Sequence, residues 1–103
     1  MNALHQAIEE LRTHRDRIEA SGPIAPSGVW IEVYRPGGRE VDYARLKAEK
    51  AMWGKSRSRG LQRVGSADHR DWQQRIRRRD ALLEIERRSL AIQAMLDAPI
   101  WEP

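Results

Sequence analysis

The side chains of this chain best suited to chemistry are cations and aromatic rings. Between Arg35 and Arg79 stand fourteen Lys and Arg against five Asp and Glu, a local charge of +9 in a chain whose total is +4. The remaining residues therefore sum to −5. Tyr43, Trp53 and Trp72 lie inside this segment, and Trp30 and Tyr34 just precede it. Guanidinium and ammonium groups neutralise phosphates, and aromatic rings stack on bases. Together they predict a polyanion partner, most economically DNA or RNA. The candidate residues are Tyr34, Tyr43, Arg45, Lys47, Lys55, Arg57, Arg59, Arg63, Arg75 and Arg78. Arg45, Lys47, Arg57, Arg59 and Arg63 are expected to hold phosphates, and Tyr34 and Tyr43 to stack or hydrogen-bond. Arg75 and Arg78 extend the patch. Lys55 shares with Arg57, Arg59 and Arg63 a stretch, 50–67, that contains no acidic residue.

Catalytic and metal chemistry find less support. With no cysteine there is neither a disulfide framework nor a thiolate metal site. His5, His14 and His69 are scattered, and none has a second ligand at metal-binding spacing. Asp68, His69 and Asp71 lie close in sequence, but no nucleophile motif accompanies them. Pro36-Gly37-Gly38 lacks the GxxxxGK[ST] pattern of a phosphate-cradling loop. The expectation is a protein that is not an enzyme and carries no cofactor or metal.

At 103 residues the chain is expected to form one domain with a modest core. No apolar run approaches the roughly 20 residues of a membrane helix. The opening MNALHQAIEELRTHRDR lacks the basic-then-apolar order of a signal peptide, so a cytoplasmic protein is expected.

The elements that must position these residues read as follows. Leu4, Ile8, Leu11 and Ile18 mark an amphipathic helix over 2–20, stopped by Ser21-Gly22-Pro23 with Gly22 in a left-handed conformation. Residues 29–35 and 40–47 alternate as two strands around the turn Pro36-Gly37-Gly38-Arg39. Opposite residues are expected to sum to 75. That puts Val29, Ile31, Val33, Ala44 and Leu46 on one face. Trp30, Glu32, Tyr34, Val41, Tyr43, Arg45 and Lys47 take the other. The second face is either an open binding platform or a second core layer under a helix. Residues 48–60 read as a flexible basic loop. A short third strand over 61–64 is ambiguous, because Leu61 and Val64 cannot both point inward on a regular strand. Ser66 is a candidate N-cap for a long helix from Ala67 to Asp97, ended by Pro99. Its apolar stripe is Trp72, Ile76, Leu83 and Leu90, widened by Leu82, Ile85, Ile92 and Leu96. On the same helix Asp71–Arg75 and Glu84–Arg88 are spaced for ion pairs. Trp101, in the tail, is expected to fold back on the core.

Four stretches carry a resemblance: Tyr43-Ala44-Arg45-Leu46, Leu61-Gln62-Arg63-Val64-Gly65-Ser66, His69-Arg70-Asp71-Trp72 and Ile76-Arg77-Arg78-Arg79. Spanning about half the chain, they resemble small uncharacterised basic α+β proteins of bacteria, of the cyanobacterial type. That resemblance implies no activity. The order hairpin, strand, helix is also similar to the arm-DNA-binding domains of tyrosine recombinases, whose three-stranded sheet enters the major groove. Those domains lack the first helix seen here, and their last helix is shorter.

The expected fold is α+β. It has an N-terminal helix, a two- to three-stranded antiparallel sheet and a long C-terminal helix packed antiparallel to the first. The expected core is Leu4, Ile8, Leu11, Ile18, Ile31, Val33, Leu46, Trp72, Ile76, Leu83 and Leu90. The expected function is non-catalytic nucleic-acid binding. The alternative is a protein-interaction or assembly module acting through the amphipathic helices, against a second copy as a homodimer or against a larger partner.

Overall fold

A computed structural model describes residues 2–101. The chain runs α1 (Ala3–Ser21), β1 (Val29–Tyr34), β2 (Tyr43–Ala48), β3 (Ser58–Arg63) and α2 (Ala67–Asp97), an α+β fold. It divides into two compact units. One is Pro23–Arg79, the sheet with the first part of α2. The other is α1 with the chain from Asp80 onward. Helix α2 belongs to both.

The three strands form one antiparallel sheet in the order β1-β2-β3. Val29, Ala44, Leu46, Ala48 and Leu61 are buried on one face, and Ile31, Trp53, Trp72 and Ile76 pack against them. Trp72 and Ile76 come from the first turns of α2, so that part of the helix covers this face. The β1–β2 register differs from the expected one. Val29 pairs with Ala48 and Tyr34 with Tyr43, so opposite residues sum to 77. The connection takes up residues 35–42, longer than a two- or four-residue turn. Within it Arg39 N–H donates to the Pro36 carbonyl (3.1 Å) and Gly38 holds φ 77°. A slip of two residues preserves which side chains share a face, and a slip of one would have exchanged them.

The stretch read as a flexible loop is ordered. β2 continues to Ala48, Trp53 and Ser56 close a tight turn through reciprocal backbone bonds (3.2 and 3.0 Å), and β3 begins at Ser58. A bulge resolves the facing of β3. Arg45 pairs with Gly60 but Tyr43 with Arg63, so Leu61 and Gln62 together oppose Ala44. Gln62 takes φ 68°, an uncommon left-handed conformation for a side-chain-bearing residue. The extra residue lets Leu61 turn fully inward, while Val64 stays exposed.

At the corner that follows, Ser66 caps α2 by accepting from His69 N–H (3.3 Å), and its hydroxyl donates to the Leu61 carbonyl (2.8 Å). His69, the one buried polar residue among those described, accepts from Gly65 N–H at Nδ1 (2.9 Å). The linker before β1 is fastened to α2. Ala25 N–H donates to the Arg75 carbonyl (3.1 Å), and Arg78 donates to the Pro23 carbonyl (3.0 Å). Arg79 donates to the carbonyls of Pro26 (2.9 Å) and Val29 (2.7 Å).

In the second unit, Asn2 caps α1 by accepting from His5 N–H (2.8 Å). Gly22 ends it at φ 152°, ψ −174°, a glycine-favouring conformation but not the left-handed helical one expected. Ala7 and Leu11 line a groove with Ala91, Ile92 and Met95. Arg15 and Glu19 line another with Leu82 and Ile85. Early residues of α1 thus meet late residues of α2, and the pair is antiparallel. Leu4, Ile8, Leu11 and Ile18 are half-buried, as are Leu82, Ile85, Ile92 and Leu96. Val33 (54% exposed), Leu83 (55%) and Leu90 (66%) leave the expected core, Val33 because it stands on the edge strand β1. One helix with a narrow stripe covers one seam of α2, and these two leucines lie beside it. Trp101, expected to fold back on the core, is exposed: α2 ends at Asp97 and the chain beyond it does not bring this ring into cover.

The sheet's core is small, so each large member of it should count heavily. Leu46→Ala should lower unfolding free energy in urea by about 2–5 kcal/mol, whereas Val64→Ala, on the exposed side of the bulge, should change it by less than about 0.5 kcal/mol.

Candidate nucleic-acid interface

The second face of the sheet is built from alternate residues: Trp30, Glu32 and Tyr34 of β1, Tyr43, Arg45 and Lys47 of β2, and Ser58, Gly60 and Arg63 of β3. None of these is buried, and Trp30 is 45% exposed. Of the two readings of this face, the structure has the open one.

A lattice of polar and aromatic contacts holds the face in place of a core. The Arg45 guanidinium lies over the Tyr34 ring, 4.3 Å from its centre, and donates to the Glu32 carboxylate across the strand pair (2.9 Å). Its Nε is buried with no hydrogen-bond acceptor among the described residues. Tyr34 and Tyr43 face each other across the same strands, ring centres 6.2 Å apart and tilted by 41°. Arg39 reaches in from the connection, 5.8 Å over the Tyr43 ring, and donates to its hydroxyl (3.2 Å). The hydrogen bond from Arg45 holds the Glu32 carboxyl below its usual range, with the charges of Arg45 and Lys47 adding to the effect. The same bond pushes Arg45 up. Both side chains keep more than a third of their surface in water, so their attraction is screened.

The candidate residues divide into three groups. Tyr34, Tyr43, Arg45, Lys47 and Arg63 share the open face. Arg57 and Arg59 alternate onto the opposite face, beyond the helix-covered core. Arg59 approaches the Trp72 ring there (5.9 Å), with Arg75 nearer still (4.6 Å). Lys55 sits at the tip of the β2–β3 turn. Arg75 is also paired with Asp71 (2.9 Å), and Arg78 is engaged with the linker. By contrast, Lys47, Lys55, Arg57 and Arg63 form no ion pair with any described residue. Glu32 is the one carboxylate in the three strands, and Arg45 already occupies it.

Sequence reasoning passed over Arg39. Its position four residues before Tyr43 was the available signal, but only the long connection curls it back over the ring. Next to these residues lies a shallow cavity of about 440 Å³ lined by Tyr43, Gln62, Arg63, Ser66, Ala67 and Asp68. Among the described residues no group of three or more His, Asp and Glu is placed to hold a metal ion. No described helix is long and apolar enough to cross a membrane. Fold and face together define a small α+β protein with a cationic, aromatic open sheet. No protein-family model, curated protein or solved structure matches it.

The lowered Glu32 titration fixes the sign of a pH effect. Its stabilising contribution is present above the unfolded carboxyl pKa, about 4.3, and is lost as pH falls through the lower folded value. Melting temperatures of the wild type and Glu32→Gln should therefore differ near neutral pH and converge in acid. A gap that stays constant while the carboxyl protonates would count against this assignment.

Proposed function

We propose that this protein binds nucleic acid without catalysis, through its open sheet face and the β2–β3 hairpin. The supporting observation is the uncommitted charge. Lys47, Lys55, Arg57 and Arg63 form no ion pair on a sheet whose one carboxylate is taken, and Tyr34 and Tyr43 are fixed on the open face beside Lys47 and Arg63 by Arg45 and Arg39. Cations free of internal partners release counterions when they meet phosphates, which drives binding and makes it depend on salt. Arg75 and Arg78 act in this reading as structural residues that hold α2 and the linker. Arg59 lies at the margin, over Trp72.

A second reading, assembly through the helix pair, rests on the exposure of Leu83 and Leu90. It predicts association that persists at high salt, because apolar contacts are not screened.

Fluorescence anisotropy of labelled DNA and RNA oligomers across about 50–200 mM salt tests the first reading. Binding should weaken steeply with salt. Lys55/Arg57/Arg63→Ala should weaken it at every salt concentration and flatten the log–log salt slope by roughly 1 per lost phosphate contact. Arg78→Ala should leave the slope unchanged. Absence of binding at low salt would overturn the reading.

A further inference from the structure

β1 is an edge strand, and its outer rim is unpaired at Ile31 and Val33. The direction of its backbone groups follows from its neighbours. Gly28 C=O accepts from Glu49 N–H (3.1 Å), while Ala48 N–H points the other way, to Arg57 C=O (2.9 Å). Residues 28, 30, 32 and 34 therefore bond to β2, and Val29, Ile31 and Val33 turn their N–H and C=O groups outward. The Val29 carbonyl is occupied by Arg79 (2.7 Å), whereas no backbone or side-chain bond meets the outward groups of Ile31 or Val33 among the described residues. Around them stand Val33, 54% exposed, and Trp30, 45% exposed.

The two edges of the sheet differ. β3 has a bulge at Leu61–Gln62, a positive φ, a glycine and two arginines, all devices that discourage strand addition. β1 reads Val-Trp-Ile-Glu-Val-Tyr, with no proline, lysine, glycine or bulge. A strand of this kind is a template for another strand.

We propose that β1 pairs with β1 of a second copy of this chain, antiparallel about a two-fold axis at Glu32, to make a continuous six-stranded sheet. The register follows from the free groups. Ile31 of one copy exchanges both backbone bonds with Val33 of the other, and the reverse, so all the unmet groups at these positions are used. A register centred on Ile31 would instead require the Val29 carbonyl that Arg79 holds. With the axis at Glu32, side chains match by type. Trp30 meets Tyr34 on the open face, and Ile31 meets Val33 on the helix-covered face, where Val33 otherwise has little cover. Aromatic and β-branched cross-strand pairs of these kinds are stabilising. The charges are also compatible. The two Glu32 carboxylates face each other at the axis, but each is flanked and neutralised by its own Arg45, giving an Arg–Glu–Glu–Arg row. A foreign extended peptide would satisfy the backbone but would not by itself supply this matched set. The pairing is independent of nucleic-acid binding, although it would make the two open faces continuous.

The chain has no cysteine, so a single introduced thiol reports the geometry. Glu32→Cys should form a disulfide-linked dimer under mild oxidation, because facing residues of a non-hydrogen-bonded pair bring their Cβ atoms to about 4.5–5.5 Å. Lys47→Cys, on the central strand, should not. In sedimentation equilibrium at high salt the wild type should run at twice 12.0 kDa. Val33→Lys should run as a monomer with an unchanged far-UV circular dichroism spectrum, and Leu90→Lys should remain dimeric. The proposal is overturned by a wild type that stays monomeric, which leaves a foreign strand as the occupant. It is equally overturned by a dimer that survives Val33→Lys but not Leu90→Lys, or by failure of Glu32→Cys to cross-link.

Discussion

The packing of Trp72 and Ile76 onto Leu46 and Leu61 is the contact on which the sheet unit depends. Leu46 and Leu61 are fully buried, and three of the other four buried apolar residues are alanines. Such a core supplies modest hydrophobic stabilisation, so its few large side chains cannot be misplaced. The bulge at Leu61–Gln62 follows from this constraint. Without the extra residue, Leu61 and Arg63 could not serve opposite faces at the levels of Ala44 and Tyr43. The left-handed Gln62 is tolerated because the inward turn of Leu61 offsets its strain.

A core confined to one face leaves the other to be held by different forces. There the structure uses rings and charges. Arg45 spans Tyr34 and Glu32, and Arg39 and Tyr43 continue the row. Contacts of this type are individually weak in water, yet they fix the orientation of groups that remain accessible. The same economy appears in the linker, where Arg78 and Arg79 do with hydrogen bonds to carbonyls what a larger core would do by burial. The basic side chains of the sheet unit thus divide among those that fasten the backbone, such as Arg78, those that pair with carboxylates or rings, such as Arg45 and Arg75, and those that form no ion pair with a described residue, such as Lys55, Arg57 and Arg63. That division is the basis for assigning a role to the last group.

The helix pair is a different case. Its seam is half-buried along its length, with no fully buried residue among those described. Two helices alone cannot enclose a core, because each offers one stripe and the stripe of α2 is wider than α1 can cover. Exposed leucines at positions 83 and 90 are the direct result.

Much of the fold was legible in the chain itself. The 3.6-residue period and the caps set both helices, with α2 running from Ala67 to Asp97 as expected. The two-residue alternation assigned the faces of β1 and β2, and the charge count located the basic segment. These are local properties, written in neighbouring residues. The β1–β2 register, the order within 48–60 and the bulge were not legible, since each depends on how strands pair and pack across the fold rather than on neighbouring residues. The fate of individual arginines was hidden for the same reason. Arg78 and Lys55 look alike in a charge count, and only the folded backbone brings the Pro23 carbonyl to one of them and leaves the other without an ionic partner. The exposure of Val33 likewise depends on β1 being an edge, which a strand's own sequence does not state.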